Sequence, residues 1–185
     1  MKGVANASGR DERLYAQLAK LPDDRSRRTF LSKHPVLLRR ETVARLSEIV
    51  PQRVRVDVKE ALALAEAAQL IARRLRNPEA LAQSLRAKGN ALYALNEHKA
   101  AVQHHEQATR LFSKVGKPTE VGRTLSTSIQ PLILLGEYER AQKAAGQARE
   151  IFARQGDELR LARLELNVGN IYHRQDRFEE AIHCY

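Results

Sequence analysis

The sequence predicts an all-α chain, a solenoid of antiparallel helix pairs, and three observations carry that prediction. A large residue followed by a small one returns every 40 positions, as His98, Tyr138 and Phe178 and again as Ala101, Ala141 and Ala181. Helix formers, Ala, Leu, Arg, Glu and Gln, dominate the composition, while aromatics make up only 5% and Trp is absent. Gly116, Gly136 and Gly156 stand where apolar helical patterns stop. A repeat of this length is one helix pair, which buries its apolar side only by stacking on a neighbour.

Taken in order, residues 1–10 are small and polar without periodicity and are expected to be disordered. Residues 11–56 form a helical lead. Leu14, Leu18 and Leu21 recur at helical spacing from Asp11 to Lys20, and Pro22 follows. Asp23 and Asp24 are N-cap residues for a helix to about Ser32 with Phe30 and Leu31 buried. A third helix, the degenerate first half of a repeat, is expected to start at Pro35 and close at Pro51. The alternation Arg53–Val58 has the period of a strand but no strand to pair with, and it runs into the Ala-rich helix from about Asp57 to Arg76.

Residues 57–185 hold the repeats. Asn77 and Pro78 open a helix to about Leu95, and its partner runs from about His98 to Val115. The next pair covers about Thr119–Leu135 and Tyr138–Gln155. The last has a full helix from about Asp157 to Gln175 and a short one from about Arg177 to Tyr185. Pro131 lies inside its helix, where a proline typically costs ~3 kcal/mol, so a kink over Thr127–Pro131 and a wider crossing are expected.

Charge separates the two regions. Residues 1–55 hold 13 Lys or Arg against 6 Asp or Glu, a net of +7, whereas residues 56–185 hold 19 against 16, a net of +3. The basic third gives an alternative function, nucleic-acid binding through Arg25, Arg27, Arg28, Arg39 and Arg40, although these interleave with Leu and Val and form no nucleic-acid motif. A cytoplasmic location is expected: no apolar segment precedes Asp11 and Glu12, apolar runs are too short to span a membrane, and Cys184 is the single cysteine.

The repeat resembles the tetratricopeptide repeat (TPR) in its 40-residue form. Gly89, Leu92, His98, Ala101, His105 and Ala108 fill the family's places in one unit; Gly169, Tyr172, Phe178, Ala181 and Tyr185 fill them in another. Small residues at Gly89 and Ala101 suit a close helix crossing. The middle unit keeps Tyr138, Ala141, Ala148 and Phe152 but has Ile129 at the Gly place. The resemblance implies a right-handed superhelix whose first helices line a groove for peptides or extended partner segments. It assigns that groove Gln83, Arg86, Asn90 and Tyr93, then Arg123, Ser126, Gln130 and Ile133, then Arg163, Leu166, Asn170 and His173, with Asn167 beside them. Arg86 and Asn90 resemble half of the family's carboxylate clamp, which Thr127 breaks. Such scaffolds also occur in bacterial CHAT-domain protease and regulatory ATPase proteins, which implies a regulatory module whose other domains lie elsewhere.

No enzyme is expected. His98, His104 and His105 lack metal-ligand spacing, and two of them occupy core places of the repeat. His183 and Cys184 are neighbours on a helix and point about 100° apart. No Gly-rich phosphate loop is present. The expectation is a protein-binding scaffold without cofactor or metal. Because the final helix offers Phe178, Ala181, Ile182 and Tyr185 as a stripe, the chain is also expected to be the N-terminal piece of a longer protein and to self-associate through this end.

Overall fold

A computed structural model describes the backbone of residues 2–185 and the side chains of residues 11–185. The helix expected from Asp11 begins at Lys2, so the backbone of residues 2–10, expected to be disordered, is the first half of that helix. All the elements among the described residues are helical, and the chain divides into two compact units, residues 1–95 and 96–185.

The first unit contains α1 (Lys2–Ala19), α2 (Asp24–Lys33), a 3-10 turn (Pro35–Leu37), α3 (Arg40–Arg53), α4 (Val58–Arg74) and α5 (Pro78–Ala94). Asp23 caps α2 by accepting the Ser26 N–H at 2.7 Å, Asp57 caps α4 through Lys59 and Glu60, and Asn77 caps α5 through Ala80. Each such cap contributes about 1 kcal/mol. The helix expected to start at Pro35 starts instead at Arg40. The 3-10 turn and an extended Arg39 come first and let Leu37 drop fully into the core. Pro51 does not close α3 but sits inside its last turn, where its missing N–H removes a single bond and the ladder resumes with Val54 N–H to Val50 O at 3.0 Å. No strand forms over Arg53–Val58, which is the end of α3, a turn and the start of α4.

Packing explains why α4 is so rich in alanine. It touches α1, α2, α3 and α5, so nearly every side of it is covered and small residues let four neighbours approach. Ala61, Ala65, Ala67, Ala68 and Ala72 are buried with Leu64 and Ile71, and Leu18, Leu31, Leu46 and Val50 come from the surrounding helices.

The second unit contains α6 (His98–Lys114), α7 (Pro118–Leu134), α8 (Tyr138–Arg154), α9 (Glu158–Arg174) and α10 (Phe178–Cys184). Each helix packs on the next, and α7 also touches α9, so first helices of successive pairs lie beside one another; α3 and α5 do the same in the first unit. Ile129, Leu132, Phe152, Leu164 and Ile171 form the core. Ala101 and Ala141 are fully buried. Through Pro131, α7 continues as one helix, closing with Leu135 N–H to Pro131 O at 3.2 Å.

The backbone has a period half as long as the side-chain repeat. Arg76, Asn96, Gly116, Gly136, Gly156 and Asp176 all have positive φ, between 50° and 73°, and stand 20 residues apart. From α4 to α9 every helix has 17 residues and every link three. The left-handed residue lets the next N–H reach back over the helix end, as in Glu137 N–H to Leu132 O at 2.9 Å and Arg177 N–H to Tyr172 O at 3.0 Å. The link between α3 and α4, just before this run, has four residues and none with positive φ among the described ones. A side chain has open space at Gly116, Gly136 and Gly156, so these glycines serve conformation alone. Arg76 holds the same conformation against a penalty of about 1–2 kcal/mol. After the greater flexibility of unfolded glycine is subtracted, Arg76→Gly is expected to raise stability by about 0.5–1 kcal/mol and Gly136→Ala to lower it by a similar amount. Urea midpoints of both variants check this; a loss of stability in Arg76→Gly would contradict it.

Candidate functional site

The groove residues assigned by resemblance fall on first helices in both units. Gln83, Arg86, Asn90 and Tyr93 lie half-buried on α5 of the first unit. The remainder lie on α7 and α9, which adjoin in the second unit.

There the structure brings three of them together. Asn167 on α9 sits between two residues of α7: its Nδ2 donates to Ser126 Oγ at 3.3 Å, and its Oδ1 accepts from Gln130 Nε2 at 3.3 Å. Helical spacing sets this up, because Ser126 and Gln130 are four apart and present their side chains on one face. Each amide keeps capacity. One N–H and the carbonyl oxygen of Gln130, and one N–H of Asn167, are unused by these bonds.

Arg123 and Arg163 flank this bed from exposed positions. Arg123 Nη1 reaches back one turn to Glu120 at 2.8 Å, and Arg163 contributes to the field that, after the Arg160 N–H bond to its side chain, lowers the carboxyl pKa of Asp157. Leu166, one turn from Arg163 on α9, is exposed.

Other positions are engaged differently. Ile133 is buried in the core of the second unit and lines no groove. Asn170 Oδ1 accepts from the Tyr185 hydroxyl at 3.0 Å, with the Tyr185 ring 2.5 Å from where a Cβ on Gly169 would stand, and His173 meets the Phe178 ring edge-on with centroids 5.5 Å apart. Both α9 residues are thus turned to α10. Of the histidines, His105 is buried, and His104 Nδ1 lies 2.8 Å from Ala100 O. Among the described residues, no three His, Cys, Asp or Glu side chains converge as a metal site, and no helix is long and apolar enough to cross a membrane.

Sequence reasoning did not find the ties across helices. Arg149 on α8 holds Glu165 on α9 through two bonds of 2.8 Å, with its own pKa raised by that carboxylate, and Gln142 on α8 meets Gln175 after α9 at 3.4 Å. These pairs are 16 and 33 residues apart, and no single helical pattern contains both members.

No protein-family pattern matches the chain, and no curated protein matches it either. Among solved structures, the chain is similar to the crystal structure of BtubC (BKLC) from P. vanneervenii, with a TM-score of 0.67 and 21% identity over 94% of this chain and 72% of that one. At that identity the likeness speaks for the fold: an all-helical chain packed in consecutive pairs.

Proposed function

We propose that the chain is a protein-binding scaffold, and that the face of α7 and α9 in the second unit holds an extended peptide segment with acidic side chains. The observation that carries this reading is the Ser126–Asn167–Gln130 set with Arg123 and Arg163 beside it. An extended backbone offers alternating N–H and C=O groups, which side-chain amides match in both senses, and guanidinium groups take carboxylates bidentately. Leu166 supplies an apolar contact among them. The residues of α5, Arg86, Asn90 and Tyr93, belong to the same assignment by resemblance, as do Asn170 and His173.

Binding through the basic first third is the weaker reading. Arg27 is buried between Asp24 and Glu66, Arg39 is paired with Asp11, Arg45 lies 2.8 Å from Glu12 and Arg53 lies 3.4 Å from Glu60. Arg27 and Arg39 were two of the five arginines counted for it.

The test selects binding peptides from a random library and measures their affinity for the unaltered chain and for Gln130→Ala with Asn167→Ala. The expected result is acidic consensus peptides, weakened at least ~10-fold by the double variant, since two side-chain hydrogen bonds are together worth about 1–3 kcal/mol. Affinity indifferent to these two substitutions and to Arg163→Glu sinks the proposal. So does capture of cellular partners that nuclease treatment removes completely.

A further inference from the structure

In the first unit, α1 and α3 each pack on α4 and leave a cleft between them. Its volume is about 430 Å³, inside the range of roughly 300–1,000 Å³ typical of small-molecule sites. Buried Leu64 of α4 and half-buried Ile49 of α3 give it an apolar lining. Val56, in the link that follows α3, extends that lining outward and is 77% exposed, more than any other large apolar side chain described.

The same walls carry donors that the described residues leave unused. Tyr15 of α1 lines the cleft and is only 6% exposed, yet its hydroxyl has no hydrogen-bond partner among those residues and is not sealed from solvent. A tyrosine hydroxyl on so buried a ring ordinarily finds a partner. Arg53 approaches Glu60 most closely through Nε, at 3.4 Å, and its two Nη groups make no hydrogen bond among the described residues. Arg45 is taken by Glu12 at 2.8 Å, so each carboxylate lining the cleft is already matched by a guanidinium.

We infer that this cleft binds a small carboxylic acid with an apolar body. Its carboxylate, planar and acceptor-only, is taken by the Arg53 fork and the Tyr15 hydroxyl, and its hydrocarbon lies on Ile49, Leu64 and Val56. A carboxylate fits better than a cation, because the two glutamates are each neutralised by an arginine while the open positions on Tyr15 and Arg53 donate. The apolar lining selects against small hydrophilic acids, since each methylene that leaves water strengthens binding about fourfold.

Octanoate is the probe, titrated into the full chain and followed by amide NMR, with octan-1-ol and octylamine as comparisons of equal chain length. The expected result is saturable binding with a dissociation constant on the order of 1 mM or lower, with both comparisons at least ~10-fold weaker. The shifts should centre on residues 12–16, 49–56 and 60–64. The dissociation constant should rise at least ~10-fold in Val56→Glu and Arg53→Gln and at least ~3-fold in Tyr15→Phe. Melting temperatures stay unchanged in Val56→Glu and Tyr15→Phe, since one side chain is exposed and the other loses a hydroxyl without a partner; where Arg53→Gln lowers its own, those two decide. Absence of saturable binding overturns the inference, and so do shifts centred elsewhere or either comparison binding as tightly as octanoate. An affinity indifferent to Val56→Glu or to Tyr15→Phe overturns it too, as the mark of an acid drawn only by the chain's net charge of +10. The three substitutions lie outside α7 and α9, so acid binding and peptide binding fail separately.

Discussion

Phe152→Ala is expected to remove about 3–5 kcal/mol. The ring is fully buried at the end of α8, and its neighbour across the pair is Gly122 of α7, where an added Cβ would stand 2.8 Å from the ring and 3.2 Å from Ile151. The glycine is there for room, because its φ is helical and alanine would otherwise gain about 1 kcal/mol of helix propensity. Gly122→Ala should therefore destabilise the unaltered chain and stabilise a Phe152→Leu background. Urea unfolding of the four species measures the sign change; equal effects of Gly122→Ala in both backgrounds would show that ring and glycine do not meet.

The second large effect is expected at Glu66. Its carboxylate accepts from Arg27 of α2 at 2.9 Å and lies 3.3 Å from Lys88 of α5, so one side chain of α4 ties three helices. Arg27 is buried, and its Nε has no hydrogen-bond partner among the described residues. Glu66→Ala strands that guanidinium with only Asp24 at 3.4 Å, at a cost of about 2–3 kcal/mol. The figure sits below that for a fully buried pair because the Glu66 side chain is 30% exposed. Arg27→Met should be nearly neutral or stabilising, since it removes the buried charge together with its unsatisfied nitrogen. A Glu66→Ala variant within about 0.5 kcal/mol of the unaltered chain would mean the tie carries no stability.

How far the sequence revealed these features depends on whether the cause was local. Helices α4 to α9 were legible within a residue or two, because caps such as Asn77 and Asp157 and stops such as Gly136 act within one turn. The 20-residue period of the links was hidden, since Arg76, Asn96 and Asp176 do in three of them what glycine does in the others. The start of α3 was misplaced because proline suits a 3-10 turn as well as a helix, and only the need to bury Leu37 separates the two. At the candidate site, the helix faces were readable from register but not what covers them. Ile133 is lost to the core, and Asn170 and His173 turn to α10, through contacts made by other helices.

The closeness of Tyr185 to Gly169 also bears on how such a chain can vary over time. One repeat earlier, Ile129 stands in the glycine's place and Ala145 in the tyrosine's, both buried in one cluster. The large side chain has changed helix while the space between the helices is still filled, so what is kept is the combined volume of two positions 16 residues apart. Selection acting on this joint would see neither residue alone. Among related chains, enlargement at one position should come with shrinkage at the other, leaving the pair as a correlated trace where each column by itself looks unconstrained.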